Sequence, residues 1–182
     1  TSFIDVFDTV TQVVLYADSQ RAAQARFAAI HEELKAYHQL FDIYHTYRGM
    51  NNLKSINDAA GTAPVVVDAA IIELVRLAKE MHALSDGRMN IAMGSVLSIW
   101  HDCREQGIAH PEHSALPSME ELDQAAAHTD ISRVLVDELA QTVYLSDPEL
   151  RLDVGGIAKG YAVERVAASA KADGVESLLI SV

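Results

Sequence analysis

The sequence predicts an α+β fold rather than a doubly wound parallel sheet. Strand-like segments are grouped, with helices between the groups instead of in strict alternation. The second half carries short β-prone stretches separated by the turn residues Asp137-Glu138 and Ser146-Asp147-Pro148, as hairpins do. Between them lie stretches of helical period with N-cap signals at their starts.

Residues 3–17 are rich in β-branched residues and alternate in part through Thr9, Thr11 and Val13, which predicts a strand or hairpin. Asp18-Ser19 reads as an N-cap. Apolar residues at Ala23, Phe27, Ile30, Leu34, Tyr37 and Phe41 then recur at spacings of three and four, a long amphipathic helix from Gln20 to about Ile43. Residues 44–62 read as a long polar loop, a feature that is uncommon unless it serves a site.

Pro64–Val67 reads as a short strand. Asp68 caps a helix to about Leu84, with Ile71, Leu74, Val75, Ala78 and Met81 on the buried face, stopped by Ser85-Asp86-Gly87. Gly94-Ser95 opens an apolar helix, Val96 to His101, in which Trp100 is expected in the core. Residues 107–117 form a loop with two prolines. Ser118 and Glu121 make a capping box for a helix from Met119 to His128. Val134–Val136, Thr142–Leu145 and Leu150–Asp153 read as three short strands. A helix over about Ile157–Ala172 ends at Gly174, and Val175–Val182 reads as a last strand.

The 182 residues, 49% of them apolar, suffice for one or two packed domains, and 22% charged residues argue against disorder. A net charge of −12 repels nucleic acid and anionic lipid, so no nucleic-acid partner is expected. Cys103 is the single cysteine, which excludes an intrachain disulfide and a cysteine-based zinc site. No apolar run reaches the ~20 residues that span a bilayer. The opening Thr1-Ser2-Phe3 is neither a start methionine nor a signal peptide; an export segment removed before Thr1 and a trimmed chain are both compatible with it.

The segment richest in chemistry is Leu152-Asp153-Val154-Gly155-Gly156-Ile157-Ala158-Lys159-Gly160-Tyr161. A strand-like stretch ends on a carboxylate, two glycines let a ligand approach the backbone, and a helix begins. Helix N-termini attract phosphate, and Lys159 in that first turn has the wrong sign for the helix dipole unless an anion is bound. An ordinary strand–turn–helix connection is the competing reading, since the stretch fits neither the Walker nor the dinucleotide fingerprint. His110 and His113 flank Pro111-Glu112 with no third metal ligand nearby and read as a solvated loop. His31 and His38, on one helix face, read as a surface pair. Cys103 lacks the surroundings of a nucleophile.

Residues 152–166, LDVGGIAKGYAVERV, resemble the signature of the FAD:protein FMN transferases (ApbE-type, also called thiamine-biosynthesis lipoproteins). In the same order, FDTVT (7–11) resembles that family's N-terminal Met-Gly-Thr strand. YHTYRGMNNLKSIND (44–58) resembles its loop ending in a leucine–asparagine pair, and SDGRMNIAMGSVLSIW (85–100) its Asp-Gly…Gly-Pro-Leu…Trp segment. The resemblance implies a T-fold-like half of a duplicated α+β architecture, an antiparallel sheet with helices packed on it, here as the N-terminal portion over residues 1–182. It implies FAD as substrate and Mg²⁺ as cofactor. FMN passes to a threonine of an acceptor flavoprotein of a membrane redox complex, and AMP leaves. FAD hydrolysis to FMN and AMP, and a non-catalytic flavin-binding module, are the alternatives.

Carried over by position, the resemblance makes Asp153 a nucleotide contact and Lys159 a neighbour of the pyrophosphate. Tyr47 stacks on a ring, Arg88, Met89 and Asn90 line the pocket, and Phe7 stands at a methionine contact. Gly156 gives its carbonyl to magnesium, and no residue is assigned a catalytic role. Asn90 stands where many members have aspartate, and Ser95 where proline is usual; Asn51-Asn52 lies in a stretch that varies within the family and bears on transfer against hydrolysis. The family is usually exported and lipid-anchored to the outer face of the cytoplasmic membrane, with a cytoplasmic location as the alternative. The chain ends within a strand-like run, Leu178–Val182, so the fragment is expected to be inactive alone and to self-associate.

Overall fold

The computed structural model describes residues 1–182, the whole chain. Its elements run β1 (Ser2–Val6), β2 (Thr9–Leu15), α1 (Gln20–Phe41), α2 (Leu53–Asp58), β3 (Val65–Val66) and α3 (Ala69–Leu84). They continue as α4 (Gly94–Ala109), α5 (Met119–Ala126), β4 (Val134–Asp137), β5 (Thr142–Leu145), α6 (Ala158–Ala172) and β6 (Leu178–Ser181). The fold is α+β with antiparallel sheets, as expected. Two compact units form, one from residues 1–41 with 157–182, the other from residues 42–156. No helix is long and apolar enough to cross a membrane.

In the first unit β2 lies between β1 and β6, antiparallel to both. Alternation along β2 buries Thr11 and Val13 and exposes Val10, Gln12 and Val14. α1 contacts β1 and buries Ile30 and Leu34, and α6 contacts β6 and presents Ala158, Ala162, Val166 and Ala170 at fourfold spacing. Small side chains at that spacing let α6 pack closely on α1. The opposite sheet face leaves Ile4, Val10, Val14, Tyr16 and Leu179 exposed.

Val6 pairs with Thr9, so Phe7 and Asp8 alone form the hairpin turn, both at positive φ (55° and 54°). Such turns favour Asn-Gly, because a bulky side chain in the left-handed region is strained. The Phe7 N–H donates to His38 Nδ1 at 3.1 Å, with the two rings edge to face. His31 Nε2 pairs with Asp5 at 2.8 Å, and its ring lies over Phe3. The two histidines, at the surface as expected, also fasten the hairpin to α1.

In the second unit β5 lies between β3 and β4, all antiparallel. Its core gathers Leu53, Ile56, Ile71, Leu74, Val75, Val134, Val143, Leu145, Leu150 and Leu152. Asp68 caps α3 and the Ser118–Glu121 box caps α5, as the sequence predicts. Met81 is only half-buried.

Three expectations change. The polar loop over 44–62 contains α2, because Asn52 and Ser55 form a reciprocal capping box that starts a helix there. Trp100 is exposed, not core, since α4 buries little beyond its first residue, Gly94. Leu150–Asp153 forms no strand and pairs with none; the physical reason lies in Asn57.

Candidate functional site

The segment after α1 is shaped by one carboxylate. Asp42 Oδ1 accepts from the Tyr44 N–H at 2.6 Å and the His45 N–H at 3.1 Å. Its Oδ2 accepts from the Tyr47 hydroxyl at 2.7 Å and pairs with His45 Nδ1 at 3.0 Å. Burial disfavours the charged form, but these hydrogen bonds outweigh it and hold Asp42 below the usual carboxylate range. The Asp42 carbonyl accepts from Lys54 N–H, and Asn52, fully buried, donates from Nδ2 to the His45 carbonyl at 2.8 Å. α2 is thereby seated at the start of the segment.

α2 in turn positions the stretch before the glycine pair. Asn57 Nδ2 donates to the Leu152 carbonyl at 3.0 Å, and its Oδ1 accepts from the Leu152 N–H at 2.7 Å, across 95 residues of chain. A single carboxamide thus takes both bonds that a neighbouring strand would have made. On either side, Arg151 O accepts from Gly94 N–H and Asp153 N–H donates to Ile91 O. A Cβ at position 94 would lie 2.5 Å from Arg151 O, so glycine is required there. The Asp153 carboxylate accepts from the Gly155 N–H at 2.8 Å and sets the turn, and Gly156 is open, with nothing within 4 Å of an added Cβ.

Asp153 lines a cavity of about 260 Å³ with Tyr44, Asn57, Leu97, His101 and Arg151 among the other walls. The Tyr44 and His101 rings lie 5.1 Å apart. This volume is below the ~300–1,000 Å³ of pockets that enclose a drug-sized ligand, so it fits part of a dinucleotide, not the whole.

Of the residues carried over from the resemblance, Asp153 alone lines this cavity. Tyr47 is half-buried with its hydroxyl on Asp42; the tyrosine at the cavity is Tyr44. Arg88 is exposed, and the backbone of Arg88 and Met89 is held by Ser85 and His82. Asn90 accepts from Ala92 N–H at 2.9 Å and donates to Thr129 O at 2.8 Å. A carboxylate could not make the second bond, which accounts for asparagine here. Phe7 occupies the strained turn of the first unit. Lys159, half-buried, enters no ion pair, and its helix α6 starts at Ile157 with no side-chain cap and no acidic residue in the first turn.

The sequence reading missed Tyr44, Asn57, His101 and Arg151. Asn57 alone left a trace, as the asparagine of the leucine–asparagine resemblance. No three His, Cys, Asp or Glu side chains gather anywhere in the chain as a metal site would require. Magnesium takes about six oxygens, usually with a carboxylate among them. The Gly156 carbonyl and its surroundings do not fit the ion by themselves. His110 and His113 are exposed, each near Glu112 only.

A model of the ApbE family matches residues 7–182. An FAD:protein FMN transferase from Klebsiella pneumoniae (strain 342) is 30% identical over 167 residues, covering 92% of this chain and 48% of that protein. The Escherichia coli (strain K12) protein of the same name is 28% identical, covering 91% and 45%. Among solved structures, the ApbE protein of Thermotoga maritima superposes with a TM-score of 0.79 at 27% identity, over 97% of this chain and 54% of that one. The chain thus spans about half the length of the curated relatives it matches. The family match over nearly every residue, with the fold shared at this TM-score, establishes that the chain belongs to the ApbE family.

Proposed function

We propose that this chain forms part of an FAD:protein FMN transferase and that its glycine turn receives the FAD pyrophosphate. The observation that carries the reading is the combination at 153–159. A pinned carboxylate precedes two exposed glycines, and an uncapped helix start follows with an unpaired lysine in its first turn. Uncapped N–H groups and a cation favour a phosphate ligand.

In the transfer, the acceptor threonine oxygen bonds to the FMN-side phosphorus. The bond from that phosphorus to the bridging oxygen breaks, AMP leaves with that oxygen, and the hydroxyl proton passes to a base that none of these residues is assigned to be. Asp153 and Lys159 hold and orient the nucleotide; Tyr47, Arg88, Met89, Asn90 and Phe7 remain proposed contacts. If magnesium binds, the Gly156 carbonyl would be one ligand among several supplied with it, and the ion would neutralise charge on the pyrophosphate. The acceptor is a flavoprotein of a membrane redox complex, and the enzyme works at the outer face of the cytoplasmic membrane on a lipid anchor. A lipobox cysteine encoded upstream of Thr1 is the expected sign of that location.

Full-length protein incubated with FAD, Mg²⁺ and a threonine-bearing acceptor should yield covalent flavin on the acceptor. Free FMN and AMP would instead mark a hydrolase, and unchanged FAD a binding module. Asp153→Ala and Lys159→Ala should each weaken FAD binding by about 1.5–3 kcal/mol, roughly 10–150-fold in Kd, without unfolding. Unchanged affinity in both variants removes the assignment. The 182-residue chain alone is expected to be inactive and to associate through the exposed Ile4, Val14 and Leu179 face, which light scattering reads directly.

A further inference from the structure

We infer that Asn57 is a positioning residue for the nucleotide turn, holding Leu152 so that Asp153 and the glycines after it are already in place before a ligand arrives. The inference rests on the FAD reading of that turn and adds to it a residue that touches no substrate.

Three observations carry it. Leu152 lies in a stretch with no partner strand, yet both its backbone groups are satisfied, and by one side chain. Asn57 is 8% exposed and Leu152 is fully buried, so water does not replace the clamp. The seat of Asn57 is itself fixed, through the Asn52–Ser55 box and the Asp42 carbonyl. The carboxamide orientation is set by its partners, because an N–H faces Oδ1 and a C=O faces Nδ2. Leu152 is the residue before Asp153, so the clamp sets where that carboxylate stands. A displacement of about 1 Å at such a point costs up to ~100-fold in a positioned reaction.

Asn57→Asp separates positioning from mere packing. An ionised carboxylate keeps the bond from Leu152 N–H but turns a negative oxygen on the Leu152 carbonyl. Its protonated form donates to that carbonyl and restores the pair. Burial and the facing carbonyl both raise the carboxyl's pKa, so restoration falls in an accessible range.

The experiment titrates full-length wild type, Asn57→Asp and Asn57→Ala with FAD, by flavin fluorescence, from about pH 8 to about pH 5. Affinity is expressed per folded protein and as a ratio to wild type, so that the charged and polar groups around the cavity, Lys54, Asp58, His101, Arg151 and Asp153, act alike in all three proteins. Both variants are expected to bind about tenfold or more weakly at the alkaline end. Asn57→Asp should recover toward wild type with acid, while Asn57→Ala should not. Wild-type affinity in both folded variants, or a parallel pH course for the two, overturns the inference.

If neither variant folds, amide exchange at Leu152 in the wild type decides. Protection already present without FAD is expected; protection that appears only with FAD overturns preorganisation. A wild type that binds no FAD overturns the functional reading itself, and the wild-type titration tells that failure apart from a failure of the clamp.

Discussion

The two units satisfy their polar groups in opposite ways. In the first, the sheet ladder does most of it, and a few side chains, His31 and His38 among them, fasten the hairpin to α1. The Thr9 and Thr11 hydroxyls are buried without a partner, and the outer sheet face is apolar. In the second, Asp42 and Asn52 hold the segment after α1 from within a few residues, and Asn57 and Asn90 hold segments far away in the chain. Ladders make rigid, regular surfaces; side-chain clamps make irregular backbone rigid, and a ligand site needs irregular backbone held still. The cavity beside Asp153 lies in the clamped unit.

The largest effect expected from this contrast is at Asp42. Asp42→Ala removes four hydrogen-bonding contacts to a carboxylate that is 5% exposed, and should cost about 2–3 kcal/mol by chemical denaturation. The loss should also depend on pH. The folded-state pKa lies below the ordinary 3.8, so the native carboxylate contributes fully above that value. Its contribution fades as pH falls through 3.8 toward the folded pKa. Wild type and variant should therefore converge in acid; a constant gap down to about pH 2 would mean that the charge is not what holds the segment.

Asn90→Asp should cost less, about 1–2 kcal/mol, since only the bond to Thr129 O is lost and a repulsion replaces it. A neutral result would break the claim that this asparagine is a fastener. The first unit should respond with the opposite sign. Thr11→Val removes an unpartnered buried hydroxyl at nearly constant volume and should leave stability unchanged or raise it by up to about 1 kcal/mol. Asp8→Gly, which relieves a positive φ in the hairpin turn, should add about 0.5 kcal/mol. Destabilisation by either would show that these two side chains make stabilising contacts beyond the ladder.

The sequence by itself determined the elements whose signals are local. The spacing of Ile30 and Leu34, the Asp68 cap and the Ser118–Glu121 box each act within a turn or two of helix, so α1, α3 and α5 follow from neighbours in the chain. The β1–β2 hairpin follows likewise. Asp153 and the glycines stand out as a candidate site in the sequence because a carboxylate, two glycines and a misplaced lysine lie within seven residues.

Tertiary structure alone decided the rest. Leu150–Asp153 has the pattern of a strand, but the pattern does not say what pairs with it. A side chain 95 residues away took the bonds. Tyr44 and Tyr47 are three residues apart in one loop and look alike in the sequence; Asp42 captures the hydroxyl of one, and the ring of the other lies beside His101. Trp100 has a core residue's composition but lies on a helix that buries little, so it faces solvent. Long-range hydrogen-bond partners and burial are properties of what arrives from elsewhere in the chain, and no local window of sequence contains them.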